Sequence, residues 1–218
     1  MEFSFLLWIG FYWLFSLSSN LNIGVRHLLP TFPFAYILVS KEIVSWLKGV
    51  RLSSAEVSGK KLQFKFIQYS FFIILILWQA ISVILIYPHF LSYFNEIRGG
   101  PNQGYLYTVN SNLDWGQDLK RLKKWMQENK IEKIYLDYFG GADTKYYLGD
   151  KFIPWQGTRD PKEIPKGSYL AVSATFLQGG RGEPVRGFNQ PSGYYKWLYQ
   201  QEPPIAKIGY SIFVYQIQ

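Results

Sequence analysis

The 218-residue chain is long enough for one ordinary domain, and 48% of its residues are hydrophobic and 19% aromatic. Its formal net charge is +8, of which residues 89–218 contribute +4; that part has no basic run with interleaved aromatic side chains, which argues against a nucleic-acid partner. The sequence contains no cysteine and two histidines. This composition predicts neither a disulfide framework nor a metal site, and we expect no cofactor.

Three apolar segments occupy the first part of the chain. Residues 3–19 and 69–87 carry no charged side chain, and their lengths match the roughly 17–25 residues that cross a bilayer. We expect the first to be a retained helix, because no basic segment precedes it and no signal-peptide cleavage site follows. Segment 28–47 contains Pro30 and Pro33, so it either spans the membrane or lies at the interface; we favour a span.

The distribution of basic residues predicts how these segments are oriented in the membrane. The loop 48–65 contains five basic residues and one acid, Glu56. Because cytoplasmic loops concentrate lysine and arginine, this loop is predicted to be cytoplasmic, and the last span then exports residues 89–218. If segment 28–47 also spans, Arg26 and His27 lie at the outer face.

The exported part alternates between helical and strand patterns. The predicted elements are a helix through Trp115, Leu119, Leu122 and Met126, a strand at 133–139, a short helix at 143–148, a strand at 168–176 that is buried on both faces, a glycine-rich loop at 178–187, a short aromatic helix near 192–200, and one or two strands at 205–217. This alternation predicts two domains: a membrane α-helical part with two or three transmembrane helices (1–88) and a small extracytoplasmic α/β domain (89–218).

Three stretches of the sequence together resemble a known family. They are LNIGVRHLLPTFPF (21–34), YPHFLSYFNEIRGGPNQGY (87–105) and SNLDWGQDLKRLKKW (111–125). In this order, they resemble the C-terminal part of bacterial membrane glycosyltransferases of the GT-C type, which are related to the protein O-mannosyltransferases. The resemblance implies a multi-pass hexosyltransferase of the bacterial inner (cell) membrane that uses a polyprenyl-phosphate-linked sugar.

The resemblance suggests a role for Arg26 and His27 at the outer membrane boundary. A guanidinium is permanently charged and binds phosphate in a bidentate manner, so we expect Arg26 to bind the lipid phosphate. His27 would then contact the same phosphate or the sugar. The alternative is that Arg26 only anchors the helix to membrane lipid headgroups, while His27 packs at the interface.

Six further residues are candidates for cavity or sugar contact: His89, Glu96, Asp114, Trp115, Gln117 and Asp118. Asp114 and Asp118 are predicted to share one helical face, beside a Trp115 indole that could stack on a sugar. In the alternative interpretation, both acids complement the helix dipole, Asp118 pairs with Arg121, Trp115 lies on the buried stripe, and Glu96 makes structural contacts.

The resembled enzymes carry their catalytic acid in the first exported loop. Residues 20–27 contain no Asp or Glu, and a general base must lie within hydrogen-bond reach of the acceptor proton. We therefore name no catalytic residue, and we expect turnover to need a missing N-terminal transmembrane region or a partner subunit. The alternative functions are a non-catalytic, membrane-tethered module that binds glycan or protein, and a fragment without function.

Overall fold

The computed structural model describes residues 2–19, 24–48, 59–183, 191–199 and 203–218. The chain divides into two compact units, Met1–Tyr87 and Pro88–Gln218. Much of the loop predicted to be cytoplasmic, and part of the glycine-rich stretch at 178–187, lie outside the described residues.

The first unit is helical in its described part. It contains α1 (Glu2–Ser18), a 3₁₀ helix (Gly24–Thr31) that continues directly into α2 (Phe32–Lys48), and α3 (Gly59–Ile86). Two segments, Val25–Leu47 and Phe66–Ile86, are long and apolar enough to cross a membrane, whereas the apolar helix α1 is shorter.

The prolines of segment 28–47 are accommodated without breaking it. Pro30 lies in the 3₁₀ helix and Pro33 is the second residue of α2. Backbone N–H groups in a first helical turn have no partner inside the helix, so the missing donor of Pro33 costs little there. Segment 28–47 is therefore helical throughout, as the sequence predicted.

Helices α1 and α2 pack as an antiparallel hairpin. The rings of Phe5, near the start of α1, and Phe34, near the start of α2, lie 5.1 Å apart. Towards the connecting loop, Trp13 Nε1 donates a hydrogen bond to Thr31 Oγ1 at 3.2 Å. The apolar side chains of both helices are largely exposed, which is typical of helices whose surroundings are themselves apolar.

The second unit contains a five-stranded mixed sheet with the order β2-β1-β3-β5-β4. The strands are β1 (Ile134–Asp137), β2 (Phe152–Pro154), β3 (Tyr169–Ser173), β4 (Ala206–Ile208) and β5 (Ile212–Gln216). Strands β1, β2 and β3 are parallel, and β5 is antiparallel to both β3 and β4. The predicted α/β class is therefore confirmed for this unit.

Helices cover both faces of the sheet. Beyond the short α4 (Pro101–Gly104), they are α5 (Leu119–Glu128), α6 (Thr144–Leu148) and α7 (Ala174–Arg181). Leu122 of α5 packs on one face, with Ala171 of β3, and Leu177 of α7 packs on the other, with Val172. Strand β3 is thus buried on both faces, as predicted, because successive side chains of a strand point to opposite sides.

Two boundaries differ from the sequence prediction. The helix predicted to run through Trp115 begins only at Leu119, because Gly116 has φ +72°, outside the right-handed helical region. The predicted strand 168–176 ends at Ser173, and α7 takes the next residues, including Gly179 and Gly180 that were expected in a loop. A side chain at position 180 would collide with the ring of Tyr195, so helix and ring need this glycine to pack closely.

Candidate functional site

Arg26 and His27 lie in the 3₁₀ helix at the loop end of the α1–α2 hairpin, and both are half-buried. The His27 ring packs near the ring of Tyr12, with centroids 5.9 Å apart. At the opposite end of the hairpin, Lys41 forms an ion pair with Glu2. Arg26 is the second residue of Val25–Leu47, a segment long and apolar enough to cross a membrane.

Asp118 precedes α5 and its side chain is completely buried. Its Oδ2 accepts a hydrogen bond from Ser211 Oγ at 2.7 Å, and its Oδ1 pairs with the Arg121 guanidinium. Burial raises the pKa of Asp118, although Ser211 and Arg121 both favour its charged form. The predicted Asp118–Arg121 pair is confirmed. The bond from Ser211 joins the start of α5 to the turn between β4 and β5.

His89 lies beside this pair. With Gln117, Asp118 and Arg121, it lines a pocket of about 330 Å³. Partial burial, followed by the positive charge of Arg121, lowers the pKa of His89. The pocket therefore brings together three of the six predicted cavity residues.

Glu96 is not part of this group. It is exposed and begins a 3₁₀ turn (Glu96–Arg98), in which Asn95 Oδ1 accepts a hydrogen bond from Ile97 N at 2.9 Å. Glu96 thus lies in a capped surface turn and does not line the pocket.

Asp114 lies in the loop that precedes α5 (residues 113–118), and it is also buried. Its Oδ1 accepts a hydrogen bond from Gly116 N at 3.1 Å, and its Oδ2 accepts one from Thr175 Oγ1 at 3.2 Å. Burial raises the pKa of Asp114 to about 6. The prediction that Asp114 and Asp118 share a helical face is wrong, because Asp114 lies before the helix and is bonded to α7.

Trp115 and Gln117 complete this loop. The Trp115 side chain is 58% exposed, so its predicted place on the buried stripe is wrong. Its Nε1 donates a hydrogen bond to Ser111 O at 2.7 Å. Gln117 is engaged with the loop backbone, since its Oε1 accepts from Trp115 N at 2.7 Å and its Nε2 donates to Leu113 O at 3.0 Å.

A second cavity system lies at the carboxyl edge of the parallel strands. The chain leaves β1 towards α6 on one face of the sheet, and it leaves β3 into α7 on the other face. In α/β sheets, such a divergence of neighbouring connections opens a crevice that commonly binds ligands. Here a cavity of about 1040 Å³ adjoins one of about 450 Å³, and both are lined by Asn110, Phe139 and Phe176. We call the two cavities together the edge cleft.

Asp137 is the functional candidate that sequence reasoning missed. It ends β1, is buried, and lines the larger cavity. Its Oδ2 accepts hydrogen bonds from Tyr195 Oη at 2.6 Å and from Gly157 N at 3.1 Å. Burial raises the pKa of Asp137, against the effect of these two bonds. The available signal was an acid at the end of an apolar strand pattern.

The predicted residues thus do not form one site. Arg26 and His27 lie on the helical hairpin; within the second unit, His89, Gln117 and Asp118 lie at the small pocket, Asp114 and Trp115 at the edge cleft, and Glu96 in a surface turn. Within the described ranges, no three His, Asp or Glu side chains form a potential metal site. No family model matches the chain, and no curated protein or solved structure matches it.

Proposed function

We propose that this chain is the C-terminal portion of an integral-membrane, mannosyltransferase-like glycosyltransferase that moves a hexose from a polyprenyl-phosphate carrier to an acceptor. The observation that carries the proposal is the position of Arg26 at one end of a membrane-length apolar segment. The resemblance of the three stretches around Arg26, His89 and Asp114 to GT-C enzymes supports it.

The proposed chemistry is a displacement at the anomeric carbon. The acceptor oxygen forms a bond to this carbon and gives up its proton to a base, while the bond from the carbon to the phosphate oxygen breaks. The leaving polyprenyl phosphate gains negative charge, which a guanidinium at the membrane boundary stabilises. In this proposal Arg26 takes that role, and His27 makes an adjacent contact to phosphate or sugar.

The base would come from outside the sequence described above, in a preceding transmembrane region or a partner subunit. The proposed location is the bacterial inner membrane, with multiple spans, the loop 48–65 in the cytoplasm and the C-terminal domain outside it. In that topology, the two apolar segments Val25–Leu47 and Phe66–Ile86 both cross the bilayer.

The second candidate function is a non-catalytic, membrane-tethered module that binds glycan or protein. The edge cleft favours this candidate, because its lining residues belong to the second unit alone and require no lipid donor. The two candidates differ in whether Arg26 has a phosphate ligand.

Binding of a fluorescent polyprenyl-phosphate analogue to the full chain in detergent micelles tests the proposal. The variants are Arg26→Ala, Arg26→Lys and, as the matched control at the other end of the hairpin, Lys41→Ala. We expect Arg26→Ala to weaken binding by about tenfold or more, because a charge-assisted bond to phosphate contributes ~1.5–3 kcal/mol. The affinity of Arg26→Lys should lie between those of Arg26→Ala and the unmodified chain, because lysine keeps the charge and loses the bidentate geometry.

Equal effects of Arg26→Ala and Lys41→Ala would refute a specific phosphate contact, as would tight binding of the corresponding polyprenol without phosphate. Absence of lipid binding by the unmodified chain, together with glycan binding, would favour the tethered module.

A further inference from the structure

The edge cleft combines aromatic walls with fixed polar groups. Phe139 follows β1 and Phe176 belongs to α7, and their rings meet edge to face, with centroids 5.6 Å apart. Tyr194 lines the larger cavity and Trp115 the smaller one. The aromatic side chains therefore come from separate parts of the chain and converge on one cavity system.

Two polar groups in the cleft have hydrogen-bonding capacity that the fold leaves unused. Both bonds to Asp137 go to Oδ2, and none of the described residues donates to its Oδ1. Asn110 Oδ1 accepts from Ser111 N at 2.7 Å, while its Nδ2 donates to none of the described residues. An acceptor and a donor are thus available to a ligand in the cleft.

The Asp114–Thr175 pair, in contrast, uses its hydrogen-bonding groups within the fold. Thr175 Oγ1 donates to Asp114 Oδ2 at 3.2 Å and accepts from Asn110 N at 2.9 Å. These bonds fix the loop before α5 against the start of α7, so that the walls of the cleft are built before any ligand arrives.

The charge of the lining narrows the class of ligand. Among the described residues that line the two cavities, none is lysine or arginine, and two are the carboxyls of Asp114 and Asp137. The described part of the lining therefore offers a phosphate or other anion no basic side chain to pair with. A purely apolar ligand would offer no donor to Asp137 Oδ1, so the lining favours a ligand that carries hydroxyl donors as well as a C–H surface that can pack on aromatic rings.

We infer that the edge cleft binds a neutral saccharide. Asp137 Oδ1 accepts a hydrogen bond from a sugar hydroxyl, Asn110 Nδ2 donates to a second oxygen, and the C–H face of the sugar packs on Phe139 and Phe176. The assignment of this saccharide as the acceptor of the transfer rests on the proposed function, whereas its binding does not.

The test measures binding of short neutral manno-, gluco- and galacto-oligosaccharides to the full chain by saturation-transfer NMR and calorimetry. The chain is held in lipid nanodiscs, because sugar-headed detergents would compete for the cleft. The variants are Phe176→Ala, Asp137→Asn and Asn110→Ala. The matched controls outside the cleft are Tyr146→Ala, an aromatic residue that is 80% exposed on α6, and the exposed Asp150→Asn.

We expect at least one oligosaccharide series to bind, each cleft variant to weaken binding by about tenfold, and both controls to leave it unchanged. Asp137→Asn retains an oxygen for Tyr195, and Asn110 is an exposed loop residue, so a failure of one variant to fold leaves the other informative.

No binding by any series would overturn the inference. Binding that all three cleft variants leave intact would do the same, and binding of a neutral peptide in place of the sugars would assign the cleft to a protein partner. Arg26→Ala should leave saccharide binding unchanged. Loss of lipid binding with retained sugar binding therefore separates this inference from the proposed function.

Discussion

Asp114 makes the stability of the C-terminal unit depend on pH in an unusual direction. Its pKa in the folded chain is about 6, compared with an ordinary value of 3.8, chiefly because its carboxyl is buried. Between these two values the native state binds a proton that the unfolded state does not. Stability therefore increases as the pH falls from 7 towards 5, opposite to the behaviour of a carboxylate held in a salt bridge.

The size of the effect follows from the same values. A difference of about 2 pKa units, at 1.36 kcal/mol per unit, corresponds to about 3 kcal/mol between the fully protonated and fully ionised limits. Since the native carboxyl is only partly protonated at pH 6, the change between pH 7 and pH 5 is about 1.3 kcal/mol. The raised pKa values of Asp118 and Asp137 act in the same direction.

The assay is urea unfolding of the full chain in detergent at pH 5, 6 and 7, followed by near-ultraviolet circular dichroism. Asp114→Asn should reduce the gain in unfolding free energy on acidification by about 1.3 kcal/mol, because the amide does not titrate. The amide still offers Oδ1 to Gly116 N and can donate to Thr175 Oγ1. The exposed Asp150→Asn is the control. An identical pH profile for Asp114→Asn and the unmodified chain would refute the reasoning.

Three substitutions test packing and bonding in the C-terminal unit by the same urea assay. Gly209→Ala should destabilise it by about 2 kcal/mol or more, because position 209 has φ +59° and an added Cβ would collide with Asp118; wild-type stability would contradict this. Leu122→Ala, at a fully buried site, should cost about 2–5 kcal/mol, and a cost below 1 kcal/mol would place it outside the core. Tyr195→Phe should cost about 1–3 kcal/mol, since Asp137 keeps only the Gly157 bond; an unchanged midpoint would refute that hydrogen bond.

The elements with strong patterns could be read from the sequence. The strand pattern at 133–139 and that at 168–176 both contain observed strands, because each concentrates apolar residues over the length of a strand. Strand β2 has three residues, too few to show any period. The start of α5 was misplaced because apolar spacing through Trp115 continues past Gly116, whose backbone conformation the pattern does not reveal.

The candidate site was less accessible to sequence reasoning than the fold. Asp118 and Arg121 are three residues apart, and local spacing predicted their pairing. Asp137 bonds to Tyr195, 58 residues further along the chain, and Asp114 bonds to Thr175 at a separation of 61. Such partners are set by the sheet order and the placement of α7, which no local pattern contains.

Membrane topology is the most direct test of the central claim that the C-terminal domain is exported, on the side of the membrane where Arg26 meets the lipid phosphate. The chain contains no cysteine, so single thiols can be introduced as Lys162→Cys, an exposed position in the C-terminal unit, and as Ser54→Cys in the loop predicted to be cytoplasmic. With a membrane-impermeant maleimide on intact cells, Lys162→Cys should react without permeabilisation and Ser54→Cys only after it. The reverse pattern would contradict both the exported domain and the outer position of Arg26.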